Sequence, residues 1–188
     1  MKKIIFLFLL APLALLAQKN PSFTIKGKLE GYTDGTSVRL VRNGENADLA
    51  AATLNQSVFE LKGTVAEPVL CFLFIGTEPK PVEIFVENKT ISLTGDKSRP
   101  GVFTIEGSSA HKDFDQFVKE FIPLAQQLSS LAAVINNTMP GPDRDSLMST
   151  HKNMELAVQK SIDKMVEEKP KSVVTAFVLS ATYAFKED

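Results

Sequence analysis

Tryptophan is absent from this sequence of 188 residues, cysteine occurs once, at Cys71, and histidine twice, at His111 and His151. A lone cysteine has no partner in the chain for a structural disulfide, a C-x-x-C redox pair or a thiolate metal cluster. The two histidines lie far apart in sequence and neither belongs to an H-E-x-x-H or similar metal spacing, so both are read as surface or seam residues. Also missing are a G-x-S-x-G nucleophile elbow and a run of Asp and Glu spaced for Ca²⁺. An excess of one charge is lacking too. The 21 Lys and Arg stand against 22 Asp and Glu, a formal net charge of −1, with no basic cluster of the kind that neutralises phosphates. Nucleic acid is not an expected partner, and no catalytic residue, cofactor site or metal ligand set is assigned from the sequence.

The amino terminus carries a clear signal. "MKKIIFLFLLAPLALLAQ" opens on Lys2 and Lys3, continues apolar from Ile4 to Leu16, and closes on Ala17 before Gln18. This is the pattern of a secretory signal peptide over residues 1–17. The apolar run falls short of the ~20 residues that span a bilayer, and Pro12 interrupts it. No cysteine follows the run to accept a lipid. The expected mature chain begins near Gln18, is periplasmic or envelope-associated, and meets the membrane only during export.

From Phe23 to Glu106 apolar and polar residues alternate in short runs. Phe23, Ile25 and Leu29 alternate with Thr24, Lys26 and Lys28; Val38 and Leu40 flank Arg39; Phe59 and Leu61 alternate with Glu60 and Lys62. Ile84 with Val86, Ile91 with Leu93, and Phe103 with Ile105 continue the series. Period two marks half-buried strands, and "GYTDGTS", "NGEN", "NQS", "TEPKP" and "GDKSRPG" supply the turn residues between them. The expected fold is mainly β with α, in the α+β class. An antiparallel β-sandwich of about seven or eight strands occupies residues 22–107, and a helical segment packed on it occupies residues 108–188.

One stretch breaks the alternation. In "EPVLCFLFIG", Val69, Cys71, Leu73 and Ile75 line one face while Leu70, Phe72 and Phe74 line the other, so this strand is expected to be central and covered on both sides. Cys71 then falls in a buried row as a small apolar residue, an inert thiol with a raised pKa.

The helical segment begins after "GSSA", where Ser108 or Ser109 is suited to cap. Phe114, Phe117, Phe121, Leu124, Leu128, Leu131 and Ile135 recur at spacings of three and four, with Asp113 and Asp115 expected in the first turns and Pro123 expected to kink or interrupt the helix. "NNTMPGPD" breaks the run. Leu147, His151, Met154, Val158, Ser161 and Met165 then repeat the spacing up to Pro170, which predicts an antiparallel helical hairpin. The methionines on these helices are read as core filler. In "KSVVTAFVLSATYAFKED", Val173, Val174, Phe177, Val178, Ala181 and Phe185 would share one stripe of a helix, with Leu179 and Tyr183 off it; β-branched content leaves a strand open as the alternative. Apolar surface around Leu179 and Tyr183 marks a candidate docking surface. "NQS", "NKT" and "NNT" fit the glycan acceptor pattern, which is too short and common to carry weight.

The runs "FTIKGKLEG", "VFELKGTVAEPVLCFLFI", "EIFVENKTISLTGD" and "FTIEGSSAHKDFDQF" together resemble the uncharacterised β-domain that precedes thioredoxin-like modules in exported thiol:disulfide oxidoreductases of Gram-negative bacteria. "EEKPKSVVTAFVL" is similar to a helix in the same proteins, so the resemblance extends from Phe23 to about Phe185. Those proteins carry their redox chemistry in a W-C-x-x-C site, and no position here matches it, so no catalytic residue carries over. The resemblance implies an accessory or interaction domain, without its own catalytic site, associated with a thioredoxin-like partner in cis or in trans, with self-association as a further possibility. Two alternatives stand beside it: the amino-terminal fragment of a longer periplasmic thiol:disulfide oxidoreductase, and a stand-alone ligand-binding sandwich.

Overall fold

The computed structural model of the chain describes residues 21–183. Eight strands precede three helices: β1 (Phe23–Glu30), β2 (Ser37–Arg42), β3 (Asp48–Thr53), β4 (Val58–Gly63), β5 (Val69–Ile75), β6 (Val82–Val86), β7 (Thr90–Asp96), β8 (Phe103–Glu106), α1 (Ser109–Asn136), α2 (Pro142–Glu168) and α3 (Val173–Tyr183). The strands form two four-stranded sheets, one in the order β4-β1-β7-β8 and the other β3-β2-β5-β6. The α+β class and the sandwich-like arrangement match the sequence expectation. The signal-peptide reading of residues 1–17 and the place of Phe185 in the terminal stripe lie outside the described residues.

The first sheet is built from one repeated five-residue pattern, in which two apolar residues alternate with polar ones and glycine follows. It reads Phe23-Thr-Ile-Lys-Gly27 in β1, Phe59-Glu-Leu-Lys-Gly63 in β4, Ile91-Ser-Leu-Thr-Gly95 in β7, and Phe103-Thr-Ile-Glu-Gly107 in β8 and just beyond it. Antiparallel register sets the large residue of one strand against the glycine of its neighbour: Phe23 faces Gly63, Gly27 faces Phe59, and Gly95 faces Phe103. The middle positions pair with each other, Ile25 with Leu61 and Leu93 with Ile105. Each ring lies over the space its partner glycine leaves vacant. A Cβ added at Gly63 would sit 2.6 Å from Phe23 Cζ, and one at Gly95 would sit 2.6 Å from Phe103 Cδ1. The glycines are therefore packing positions, and Phe23 is fully buried in the sandwich core with Phe59 5% exposed.

The sheet is not wholly antiparallel. β1 pairs antiparallel with β4 on one side and parallel with β7 on the other, Ile25 level with Ile91 and Gly27 with Leu93. The chain leaves β1 for the second sheet, returns to β4, visits the second sheet again, and re-enters beside β1 running in the same direction. Period two reports the exposed face and the buried face, and it is blind to strand direction.

The second sheet shows why β5 is apolar on both sides. β5 lies inside the sheet, between β2 and β6. Cys71, Leu73 and Ile75 face the sandwich core. Leu70, on the opposite face, joins Phe85 of β6 in a second core with Ala110, Phe114 and Phe117 of α1, Ile162 and Met165 of α2, and Val174 and Val178 of α3. Phe74 on that face is half-buried, and the Arg39 guanidinium lies 5.5 Å from its ring centroid.

α1 runs unbroken through Pro123 for 28 residues, about 42 Å at 1.5 Å per residue. Pro123 does not interrupt it, because the proline sits on the exposed side, where water can take the place of the missing amide. Ser108 caps the helix, its Oγ accepting the His111 N–H at 3.0 Å. Asp113 and Asp115 lie beyond the first turn, which holds no acidic residue of its own, and their carboxylates serve elsewhere. Asp113 Oδ1 pairs with Lys169 Nζ at 3.1 Å, and Asp115 Oδ2 with Lys119 Nζ at 2.6 Å. Lys164 Nζ reaches Glu120 Oε2 of α1 at 2.9 Å, so α1 and α2 are paired in antiparallel register. The terminal segment is a helix, its Val174 fully buried and Val178 3% exposed.

Candidate functional site

Cys71 is fully buried on the inner face of β5, across from Ile84 of β6. Burial pushes its thiol up to about 11, with Arg42 pulling weakly in the opposite direction. A thiol held that high is almost wholly protonated near neutrality, and the thiolate is the nucleophile. Native protein is expected to react slowly with a thiol reagent and to react at once after denaturation, as a time course of labelling by mass would show. Cys71→Ala is expected to cost about 1–3 kcal/mol of stability and no function. Rapid labelling of the folded chain would contradict the buried assignment.

Leu179 is half-buried on α3, against the second core. Cys71 faces the sandwich core on the other side of the same sheet, so the fold separates the two residues. Tyr183 ends α3, and its side chain lies outside the described residues.

Two features of the junction between β6 and α1 are not evident from local sequence pattern. The first is a clasp on the amino end of α1. The Glu87 carboxylate accepts from the Ser109 backbone N–H and, at 2.9 Å, from Ser109 Oγ, while Lys89 Nζ lies 3.2 Å from its other oxygen. Partial burial of Glu87 works against its charge, but the Ser109 hydroxyl, Lys89 and the Ser109 amide together hold its pKa below the usual carboxylate value. Glu87 thus supplies the negative charge at the helix amino terminus that the first turn itself lacks. Asn88, next in sequence, grips the backbone of Val65 at two points: Oδ1 accepts the Val65 N–H at 3.0 Å and Nδ2 donates to the Val65 carbonyl at 2.6 Å. Its amide is committed to the fold.

The second feature is His111. It is 9% exposed, and its Nδ1 accepts the backbone N–H of Phe85 at 3.4 Å. Among the described residues β6 is an edge strand, paired only with β5, so the imidazole covers a backbone donor that no neighbouring strand there takes. Burial lowers the His111 pKa, which favours the neutral ring with its proton on Nε2.

Beside His111 the sandwich is open. β6 ends one sheet and β8 ends the other, and between these edges and α1 lies a cleft of about 520 Å³ lined by Ile75, Val82, Phe103, Ile105, His111 and Phe114, with charged and proline residues on its rim. Its walls come from the β5, β6 and β8 regions and α1, segments distant in sequence. Among the described residues no group of three His, Cys, Asp or Glu side chains comes together to hold a metal ion, and no helix is long and apolar enough to cross a membrane.

No curated protein matches the chain. The stretch that forms all eight strands and the clasped first turns of α1, residues 23–114, matches the family model described as "Domain of unknown function (DUF4369)", so this part of the chain is similar to an uncharacterised domain.

Proposed function

We propose that this chain is an exported accessory module that works with a thioredoxin-like thiol:disulfide oxidoreductase, in cis or in trans, and contributes a docking surface rather than a reactive thiol. The state of α3 carries the reading. Val174 and Val178 are buried in the second core, and the large apolar side chains of Phe177 and Leu179, packed at its margin, are only partly buried. A short helix with apolar surface on more than one side can bury one side on its own fold and offer the other to a partner. Sequence resemblance supplies the partner class, and the buried thiol, with its pKa near 11, supports a role outside the electron-transfer step.

Replacing Leu179 and Tyr183 with glutamine tests this. The parent chain, recovered from the cell envelope with an intact mass showing loss of residues 1–17, is expected to self-associate or bind a thioredoxin-like protein in sedimentation. The double variant is expected to do neither, at unchanged circular dichroism. Neither protein is expected to reduce insulin alone. Insulin turnover by the chain itself, or a parent chain that stays monomeric and ignores the thioredoxin-like protein, would refute the proposal.

A second reading, a ligand-binding sandwich, is favoured by one specific observation, the cleft between β6, β8 and α1.

A further inference from the structure

We infer that the cleft beside His111 is a binding site for an extended polypeptide segment, apolar on one face and basic on the other, which adds to the free edge of β6. The site is separate from the docking surface, because among the described residues none of α3 lines the cleft.

Strand geometry comes first. In an antiparallel pair the backbone N–H and C=O of a given residue point to the same side, and successive residues alternate. The Phe85 N–H points away from β5, since it reaches His111. Glu83, two residues earlier on the same strand and opposite Phe72 of β5, must then also direct its N–H and C=O outward. Glu83 lines the cleft. One residue of an added strand could close a two-bond ring with it, the unit from which antiparallel ladders are made.

The ring of His111 adds a third point. Its Nδ1 is spent on Phe85, and no group among the described residues accepts from Nε2, which is accessible rather than sealed in the core. A donor that water satisfies in the open cleft can exchange that water for an acceptor on an occupant. The residue lines the cleft, and a peptide carbonyl lying along β6 is an acceptor suited to it.

The walls set the side-chain chemistry. Ile75, Val82, Phe103, Phe114 and Val118 give the cleft an apolar floor, which takes alternate residues of an extended chain. The rim carries Glu78, Glu83 and Asp115 against Lys80. Asp115 is matched by Lys119, whereas the Glu83 carboxylate forms no ion pair among the described residues. An occupant with Lys or Arg beside Glu83 satisfies that charge, and an acidic occupant is repelled. Pro81 precedes β6 directly and lacks a backbone donor, which confines pairing to the short stretch around Glu83.

The test uses the whole chain and three fluorescein-labelled peptides followed by anisotropy: alternating valine and lysine, alternating valine and glutamate, and the valine–lysine peptide N-methylated at every second residue. The valine–lysine peptide is expected to bind. Its glutamate counterpart and its N-methylated form are each expected to bind at least about tenfold more weakly, the equivalent of one or two lost hydrogen bonds or a lost charge contact. Glu83→Pro removes both the outward donor and the carboxylate at a position where an edge strand tolerates proline, and should weaken binding by at least as much, with little change in melting temperature; Glu83→Gln, which keeps the donor, should weaken it less. If the proline variant misfolds, the N-methylated peptide answers the same question. Absence of binding by the valine–lysine peptide, equal binding of the glutamate peptide, or indifference to N-methylation would each overturn the inference, the last by showing an apolar pocket that ignores the backbone.

Discussion

Alanine at Gly107 is expected to destabilise the chain by about 3 kcal/mol or more, which for a chain of this length lowers Tm by roughly 6–12 °C. Gly107 follows β8 directly and precedes Ser108, the residue that caps α1, so it sits at the hinge between the sandwich and its helices. Its φ is +96°, in the region that favours glycine, and a Cβ there would overlap the carbonyl oxygen of Thr90 and come 3.2 Å from Ile91 Cα. Both obstacles are backbone of β7, which is paired with β1 on one side and β8 on the other and cannot step aside alone.

Two other glycines calibrate that figure. The nearest atoms that alanine at Gly27 meets are those of the Phe59 ring, a side chain that can tilt, so about 1–3 kcal/mol is expected; Phe59→Leu in the same chain should return part of that loss. Gly44 has φ +83° but open space around a Cβ, leaving the left-handed penalty alone, about 1–2 kcal/mol. Denaturant titration of the three variants should therefore rank Gly107 worst, then Gly27, then Gly44. A Gly107→Ala chain no weaker than Gly44→Ala would show that the close approach of β7 to the hinge is not real.

These same glycines show which parts of the fold are legible in the sequence. Alternation in β1, β4, β7 and β8 reveals strands and their buried faces, and three of the glycines that end these patterns, Gly27, Gly63 and Gly95, match the ring of a neighbour once the register is known. Register itself is a long-range property, so the parallel pairing of β1 with β7 cannot be read from either strand. β3 is harder to read for another reason: Ala50, Ala51 and Ala52 are all small and apolar, and give no contrast between faces. The burial of Cys71 is visible because β5 is apolar on both faces. The cleft is not visible, since Ile75, Val82, Phe103 and His111 meet only after both sheets and α1 have formed. Helix placement had a similar limit. The cap at Ser108 is a local signal, whereas the acidic partner of the helix end is Glu87, supplied from beyond the end of β6.

Phe85→Ala is expected to cost about 3–5 kcal/mol, in the upper range for aromatic truncation. The side chain is 1% exposed and belongs to the second core, outside the sandwich cluster. Its ring centroid lies 5.2 Å from that of Phe114 on α1 and 5.6 Å from that of Phe177 on α3, the latter edge-on. One side chain thus joins the second sheet to two helices, and its removal takes aromatic contact from both at once. The polar links at the same junction survive the change. Glu87 still holds Ser109, and His111 still accepts a bond from the Phe85 backbone, which alanine keeps. A typical hydrogen bond contributes only about 1 kcal/mol net, so these links cannot replace a buried ring of this size. The loss should therefore be local before it is global. By hydrogen exchange, amides of α3 and the first turns of α1 are expected to lose protection while those of β1, β4 and β7 retain most of theirs, since the rings that Phe85 packs on, Phe114 and Phe177, belong to the second core. Phe85→Leu, which keeps much of the volume, should cost less than half as much. Equal loss of protection across the sandwich would mean that the two cores unfold as one unit, and that the helices are part of what holds the sheets together.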